Sequence, residues 1–199
     1  MTDAALGFRA HTGWAAAVAI GGPPSSPNVL NRRRIDLRGE TIPFEAYHAA
    51  GRLDLTLAED LIRRAEEVAI GLATRAIREI FGELRASGHG AVVAGIIVGY
   101  GRPEPPLEKI LASHTAKHAA EGEVYRHALI QASQQCGLRV TGAPERNLYA
   151  QAAAALRLSS DELRRRLTDV GRAFGPPWTQ DQKSATLVAW LALTSATRK

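Results

Sequence analysis

The 199-residue chain holds one cysteine, Cys136. A single thiol cannot build an internal disulfide framework or a cysteine-based zinc module. Long apolar runs are missing too: none reaches the roughly 18 residues a membrane span needs. The longest early run, Trp14 to Ile20, is too short for a signal peptide and has no basic stretch before it. Charge of one sign is scarce, with 25 Lys+Arg against 20 Asp+Glu and a formal net charge of +5. That excess is too slight to establish nucleic-acid binding by itself. No GxxxxGK[ST] phosphate loop occurs, no GxGxxG follows a strand, and no GxSxG elbow exists. No internal repeat or low-complexity tract is present. What remains is ordinary globular material, 45% hydrophobic and 23% charged. The reading is a soluble cytoplasmic protein with no membrane partner.

Residues 6–20 (LGFRAHTGWAAAVAI) read as one strand, ended by Gly21-Gly22-Pro23-Pro24. Asn28 to Leu37 alternates apolar and polar residues and reads as a second strand, hairpinned to the first. Residues 38–55 are irregular, with room for a short third strand. Thr56-x-x-Glu59 is a capping box that opens a long helix, with Leu57, Leu61, Ala65, Val68 and Leu72 on its apolar stripe. Ala91 to Val98 is a continuous apolar run bounded by glycines, suited to a central strand buried on both faces. Leu107 to Cys136 reads as one helix, followed by a short strand that Pro144 stops. Two helices come next, over 146–156 and 160–173, the second with a Ser159-x-x-Glu162 box. A last helix, capped by Thr179-x-x-Gln182, runs through Leu193. Strands alternating with helices predict an α/β fold with a mixed sheet. We read one domain over 1–199, with its core at 1–144 and 176–195 and a helical insertion at 145–175.

Charge is unevenly placed. A net +4 of the +5 lies after residue 144, around Arg164, Arg165, Arg166 and Arg172. A second basic run is Arg32, Arg33 and Arg34. Either run fits a solvated face or a phosphate-contacting stripe. Around the second helical segment, Leu107, Leu111, His114, His118, Gly122, Tyr125, Leu129, Ala132 and Cys136 share one stripe at 100° per residue. Glu121 lies beside it. The stripe should face the sheet, which would set two histidines and a carboxylate in a buried face. Three explanations compete. The histidines are hydrogen-bonded core residues or the stripe opens to solvent; or His114, His118 and Glu121 bind one divalent metal ion; or a histidine is a general base. The segment lacks the glutamate of a zincin at its second place, where Thr115 stands. The aromatic-rich segment Pro43 to His48, with Tyr47 and His48, fits a substrate-binding lip or a hydrophobic anchor.

The first strand, with Thr12-Gly13-Trp14-Ala15, resembles the opening strand of the RNase H-like superfamily, in particular its RuvC-resolvase-like branch. The segment from Asp181 through Leu193 resembles that family's final helix, with small residues against the sheet. The resemblance covers nearly the whole chain. It implies a five-stranded mixed sheet flanked by helices, here with an extra C-terminal helical pair. It also implies phosphodiester hydrolysis by two metal ions held by acidic residues at the strand ends and on the last helix. The carry-over breaks at the first ligand. Arg9 stands in the place of the first-strand aspartate, and Gly99-Tyr100 where a glutamate is expected. Glu104 and Glu108 come later, and Asp181 lies near the last-helix acid. A cation in the principal ligand's place repels Mg²⁺.

Two functional expectations follow. The first is a phosphodiester-cleaving or nucleic-acid-processing hydrolase with a non-standard site. His11, His114, His118, Glu121 and Asp181 would be its catalytic groups, converging near the strand ends. Arg9, Arg32, Arg34, Tyr47 and His48 would bind substrate. Its cofactor would be one divalent metal ion. The second is a catalytically inactive module that binds nucleic acid or a protein partner. The extra helical pair also allows a homo-oligomer or a larger assembly.

Overall fold

The computed structural model describes residues 1–99 and 105–197. Tyr100 and Glu104 lie outside the described residues. Five strands form one mixed sheet in the order β3-β2-β1-β4-β5. They are β1 (Thr2–His11), β2 (Trp14–Gly21), β3 (Asn28–Asp36), β4 (His89–Val98) and β5 (Arg139–Pro144). β1, β2 and β3 form an antiparallel meander, and β1, β4 and β5 run parallel. The helices are α1 (Ala46–Ala50), α2 (Leu55–Ala86), α3 (Leu107–Leu111), α4 (His114–Gln135), α5 (Leu148–Leu156), α6 (Ser160–Phe174) and α7 (Gln180–Thr197). No described helix is long and apolar enough to cross a membrane.

Strand alternation builds two cores, one on each face of the sheet. Ala4, Leu6 and Phe8 of β1, with Ala94 and Ile96 of β4, pack under α2 and α4. Ala5 of β1, Val18 and Ile20 of β2, and Val93 and Ile97 of β4 pack under α5, α6 and α7. The apolar run of β4 is thus buried on both faces, as its sequence predicts. Helix α7 comes closest to the sheet. A methyl group at Gly7 would collide with the carbonyl oxygen of Ala185, and one at Gly95 with that of Val188. Glycines on the strands and small residues on the helix therefore set this packing distance.

Several local expectations are corrected. Residues 6–20 are a hairpin, not one strand. The chain reverses at Thr12-Gly13, with His11 paired to Trp14. Gly13 has φ +80, a left-handed conformation that glycine reaches at little cost. Residues 38–55 hold α1 rather than a third strand. Helix α2 begins at Leu55, because the Asp54 side chain accepts the Leu57 N–H and caps it two residues before the Thr56 box. The 107–136 segment is two helices. Ser113 adopts extended backbone and its hydroxyl accepts the Ala116 N–H, which starts α4 afresh. The Ser159 cap does form, with its hydroxyl accepting the Glu162 N–H at 3.2 Å.

Candidate functional site

The parallel strands β1, β4 and β5 end on one edge of the sheet, where α/β folds place their ligand sites. A cleft of about 460 Å³ opens there. Its walls are Arg9 of β1, Val98 at the end of β4 and Gly99 after it, Glu145 and Arg146 after β5, and Glu123 and Arg126 of α4. Arg9 and His11 project to the same side because they are two residues apart on one strand. The first turn of α7 supplies Asp181.

These side chains form a connected ion-pair cluster. Arg9 Nε lies 3.0 Å from Asp181 Oδ1, and Arg9 Nη2 lies 2.7 Å from Glu145 Oε1. Arg9 Nη1 also donates to Ser184 Oγ at 3.3 Å. His11 Nε2 reaches the same Asp181 oxygen at 2.9 Å. The His11 ring stacks on Trp14 at 4.3 Å and 9°. The Arg34 guanidinium sits 4.0 Å from the Trp14 ring centroid, a cation–π contact. Glu123 and Arg126 pair across one turn of α4 through two hydrogen bonds, of 3.0 and 2.7 Å.

The metal pair implied by the resemblance does not fit these residues. Arg9 projects its cation between the carboxylates of Asp181 and Glu145, and Gly99 offers no side chain. Asp181 Oδ1 is engaged by Arg9 and His11 together.

A second polar cluster forms between α1 and α4. The N–H groups of Tyr47 and His48 donate to Glu121 Oε1 at 2.7 and 3.3 Å. Glu121 is 1% exposed. Its burial pushes the carboxyl group up from the ordinary range, against the downward pull of the donating His48 and Tyr47 N–H groups. His48 Nδ1 stands 3.5 Å from the same oxygen. The His48 ring meets the His114 and His118 rings at centroid distances of 5.2 and 4.5 Å. His114 Nε2 and His118 Nε2 are 3.1 Å apart. The expected burial of the two α4 histidines is corrected: both are exposed, because the stripe opens to solvent over the first two turns of α4.

The five residues expected to converge therefore fall into two groups. His11 and Asp181 meet at the strand ends, while His114, His118 and Glu121 gather with His48 against α1. Tyr47 is buried and offers its backbone to Glu121. The Arg32 guanidinium donates to the carbonyls of Gly175 and Pro176, at 2.9 and 3.1 Å, and to that of Pro177. Arg34 pairs with Asp36 at 3.3 Å besides lying on Trp14. Sequence reasoning missed Glu145 and the link from His48 to α4. A Pro-Glu step just past a parallel strand was the available signal for Glu145; the His48 link is tertiary and had none.

No protein-family model matches the sequence, and no curated protein does. Among solved structures, the chain is similar to RuvC of Thermus thermophilus in complex with a Holliday junction substrate. That likeness has TM-score 0.61 and 10% identity over 98% of this chain and 95% of the other. It is also similar to the Thermus thermophilus RuvC structure, with TM-score 0.57 and 11% identity over 98% and 96% of the two chains. At this identity the likeness shows the fold, a RuvC-like α/β fold with a mixed five-stranded sheet and flanking helices.

Proposed function

We propose that the protein is a nucleic-acid-binding module of RuvC-like fold in which phosphate contact replaces two-metal hydrolysis at the strand ends. The observation that carries this reading is the Arg9 guanidinium at the end of β1, which spans Asp181 and Glu145; the resemblance would put a first metal ligand at this position. One of the similar structures holds a Holliday junction substrate, which supports nucleic acid as the ligand class. A guanidinium matches a phosphate in shape and charge and makes paired hydrogen bonds to it. Glu145 is the carboxylate that an incoming phosphate displaces: its side chain is 60% exposed, against 25% for Asp181. Asp181, held also by His11, keeps Arg9 aimed into the cleft. Arg126 and Arg146 line the same cleft for neighbouring phosphates.

The test is fluorescence anisotropy with labelled junction, duplex and single-stranded DNA over a series of salt concentrations. Affinity should fall with a log–log slope near −0.9 per phosphate contacted. Arg9→Ala should weaken binding about 10- to 150-fold, since one charge-assisted contact is worth roughly 1.5–3 kcal/mol. Glu145→Gln should strengthen it. Absent or salt-insensitive binding, or an Arg9→Ala variant that binds as wild type does, would overturn the reading. A second reading is metal-free phosphodiester cleavage with His11 as the base. The 2.9 Å contact that lets Asp181 orient His11 favours it. It requires cleavage that survives EDTA and disappears in His11→Ala.

A further inference from the structure

We propose that His48, His114 and His118 form a mononuclear site for a first-row transition-metal ion of the zinc type, with Glu121 positioning His48 and a solvent-facing fourth place for water or an anion. The site is separate from the strand-end cleft, and its argument does not depend on the reading of that cleft.

The three imidazoles offer ligand nitrogens that all lie within 4.8 Å of one another. The 3.1 Å between His114 Nε2 and His118 Nε2 is close to a tetrahedral ligand edge. With Zn–N bonds near 2.0–2.1 Å that edge is about 3.3 Å. Positions 114 and 118 sit one turn apart on the same face of α4. The Ser113 cap fixes the turn that carries His114. His48 has to close by at most about 1.5 Å to complete the same edge length.

The second observation is independent of that spacing. Both ring nitrogens of His48 are buried; Nδ1 has only long approaches, 3.5 Å to Glu121 Oε1 and 4.0 Å to Glu45 Oε2, and Nε2 has no hydrogen-bond partner among the described residues. Glu121 Oε2 is in the same condition, in a residue that is 1% exposed. Native folds rarely leave such groups unpaired, because each costs free energy. The His114–His118 contact gives those two exposed rings a partner, but it does nothing for His48. An ion on one nitrogen of His48, with the other turned to Glu121, resolves the orphans together. This is the carboxylate–histidine–metal arrangement, in which the carboxylate fixes tautomer and ring orientation.

The donor set selects the ion. Three neutral imidazoles suit Zn²⁺, Cu²⁺, Ni²⁺ or Fe²⁺; Mg²⁺ and Ca²⁺ require oxygen ligands. Three protein ligands with exposed His114 and His118 leave the fourth position open to solvent, the pattern of a reactive centre rather than a closed structural one.

Chelator-treated, dialysed protein should take up one Zn²⁺ per chain in equilibrium dialysis, with Mg²⁺ failing to compete. Co²⁺ should give the intense visible bands of tetrahedral rather than octahedral coordination. His114→Ala and His118→Ala, both at exposed positions and so expected to fold, should each weaken Zn²⁺ binding about 100-fold. His48→Ala should weaken it at least about tenfold, and Glu121→Gln about 10- to 100-fold, as positioning carboxylates do. His127→Ala and Arg9→Ala should leave Zn²⁺ affinity unchanged. If folded His48→Ala binds Zn²⁺ as tightly as wild type, the site is only a surface histidine pair and the proposal is wrong. Should His48→Ala not fold, the Co²⁺ spectrum of the wild type decides: octahedral bands, or no binding at micromolar Zn²⁺, also overturn it.

Discussion

At the scale of single residues, one buried and one half-buried group carry testable consequences. Glu121 ties α1 to α4 by accepting two backbone N–H groups. Glu121→Ala strands both donors, and we expect a loss of about 2 kcal/mol in urea unfolding, the cost of unpaired buried donors. Glu121→Gln keeps an acceptor oxygen and should recover most of that loss. Cys136 ends α4 half-buried. Burial pushes its thiol up, and nearby Arg78 only partly offsets this. The thiolate fraction at neutral pH is therefore lower in the folded chain than in the unfolded one. Iodoacetamide should alkylate native Cys136 more slowly than the urea-unfolded protein, and the native rate should rise at higher pH. The sequence shows part of this scale. His11 and Asp181 are close, as the resemblance suggested, because it aligned the end of one strand with the start of one helix. His48 carried no such signal. Nothing in the local pattern of residues 43–48 tells that Glu121 will accept their N–H groups.

At the scale of elements, the contact between α7 and the sheet is the most demanding. Gly7 and Gly95 let backbone meet backbone where any side chain would collide. Gly7→Ala should cost about 3 kcal/mol, the upper range for overpacking a tight core. Chemical denaturation would measure it, and a loss below about 0.5 kcal/mol would show that α7 can slide. Long elements with steady periodicity, such as α2 and β4, were legible from sequence. The turn inside residues 6–20 was hidden because only two residues, Thr12-Gly13, separate runs that carry strand-favouring Phe8, Trp14, Val18 and Ile20. The break between α3 and α4 was hidden because the apolar stripe keeps its phase across Ala112-Ser113. There the backbone departs from the helix for a serine cap, and periodicity does not register a cap.

At the scale of the whole molecule, the two cores lie on opposite faces of the sheet. β1, β2 and β4 contribute to both and are paired on both sides. Amide hydrogen exchange should be slowest at Leu6, Phe8, Ala94 and Ile96. It should be fast in the short helix α3, where Ile110 alone of the five residues is buried. Uniform protection across all elements would contradict the layered account. The basic excess also changes meaning at this scale. Arg166 is held by Glu162 and the Ser25 carbonyl, Arg172 by Asp169, and Arg164 lies over Tyr149. Much of the C-terminal charge that looked like a stripe for phosphates is thus committed to contacts within the chain.

The Arg32-Arg33-Arg34 run lies on β3, an outermost strand of the sheet. An outer strand presents unpaired backbone groups that another chain can extend into a shared sheet. Three consecutive guanidinium groups there, one fastened to the 175–177 segment and one to Glu79 and Glu83, make such stacking of copies unfavourable. The opposite outer strand, β5, is short and stops at Pro144, which has no N–H to offer a neighbour. By this argument the arginine run should disfavour edge-to-edge growth of the sheet beyond its own five strands.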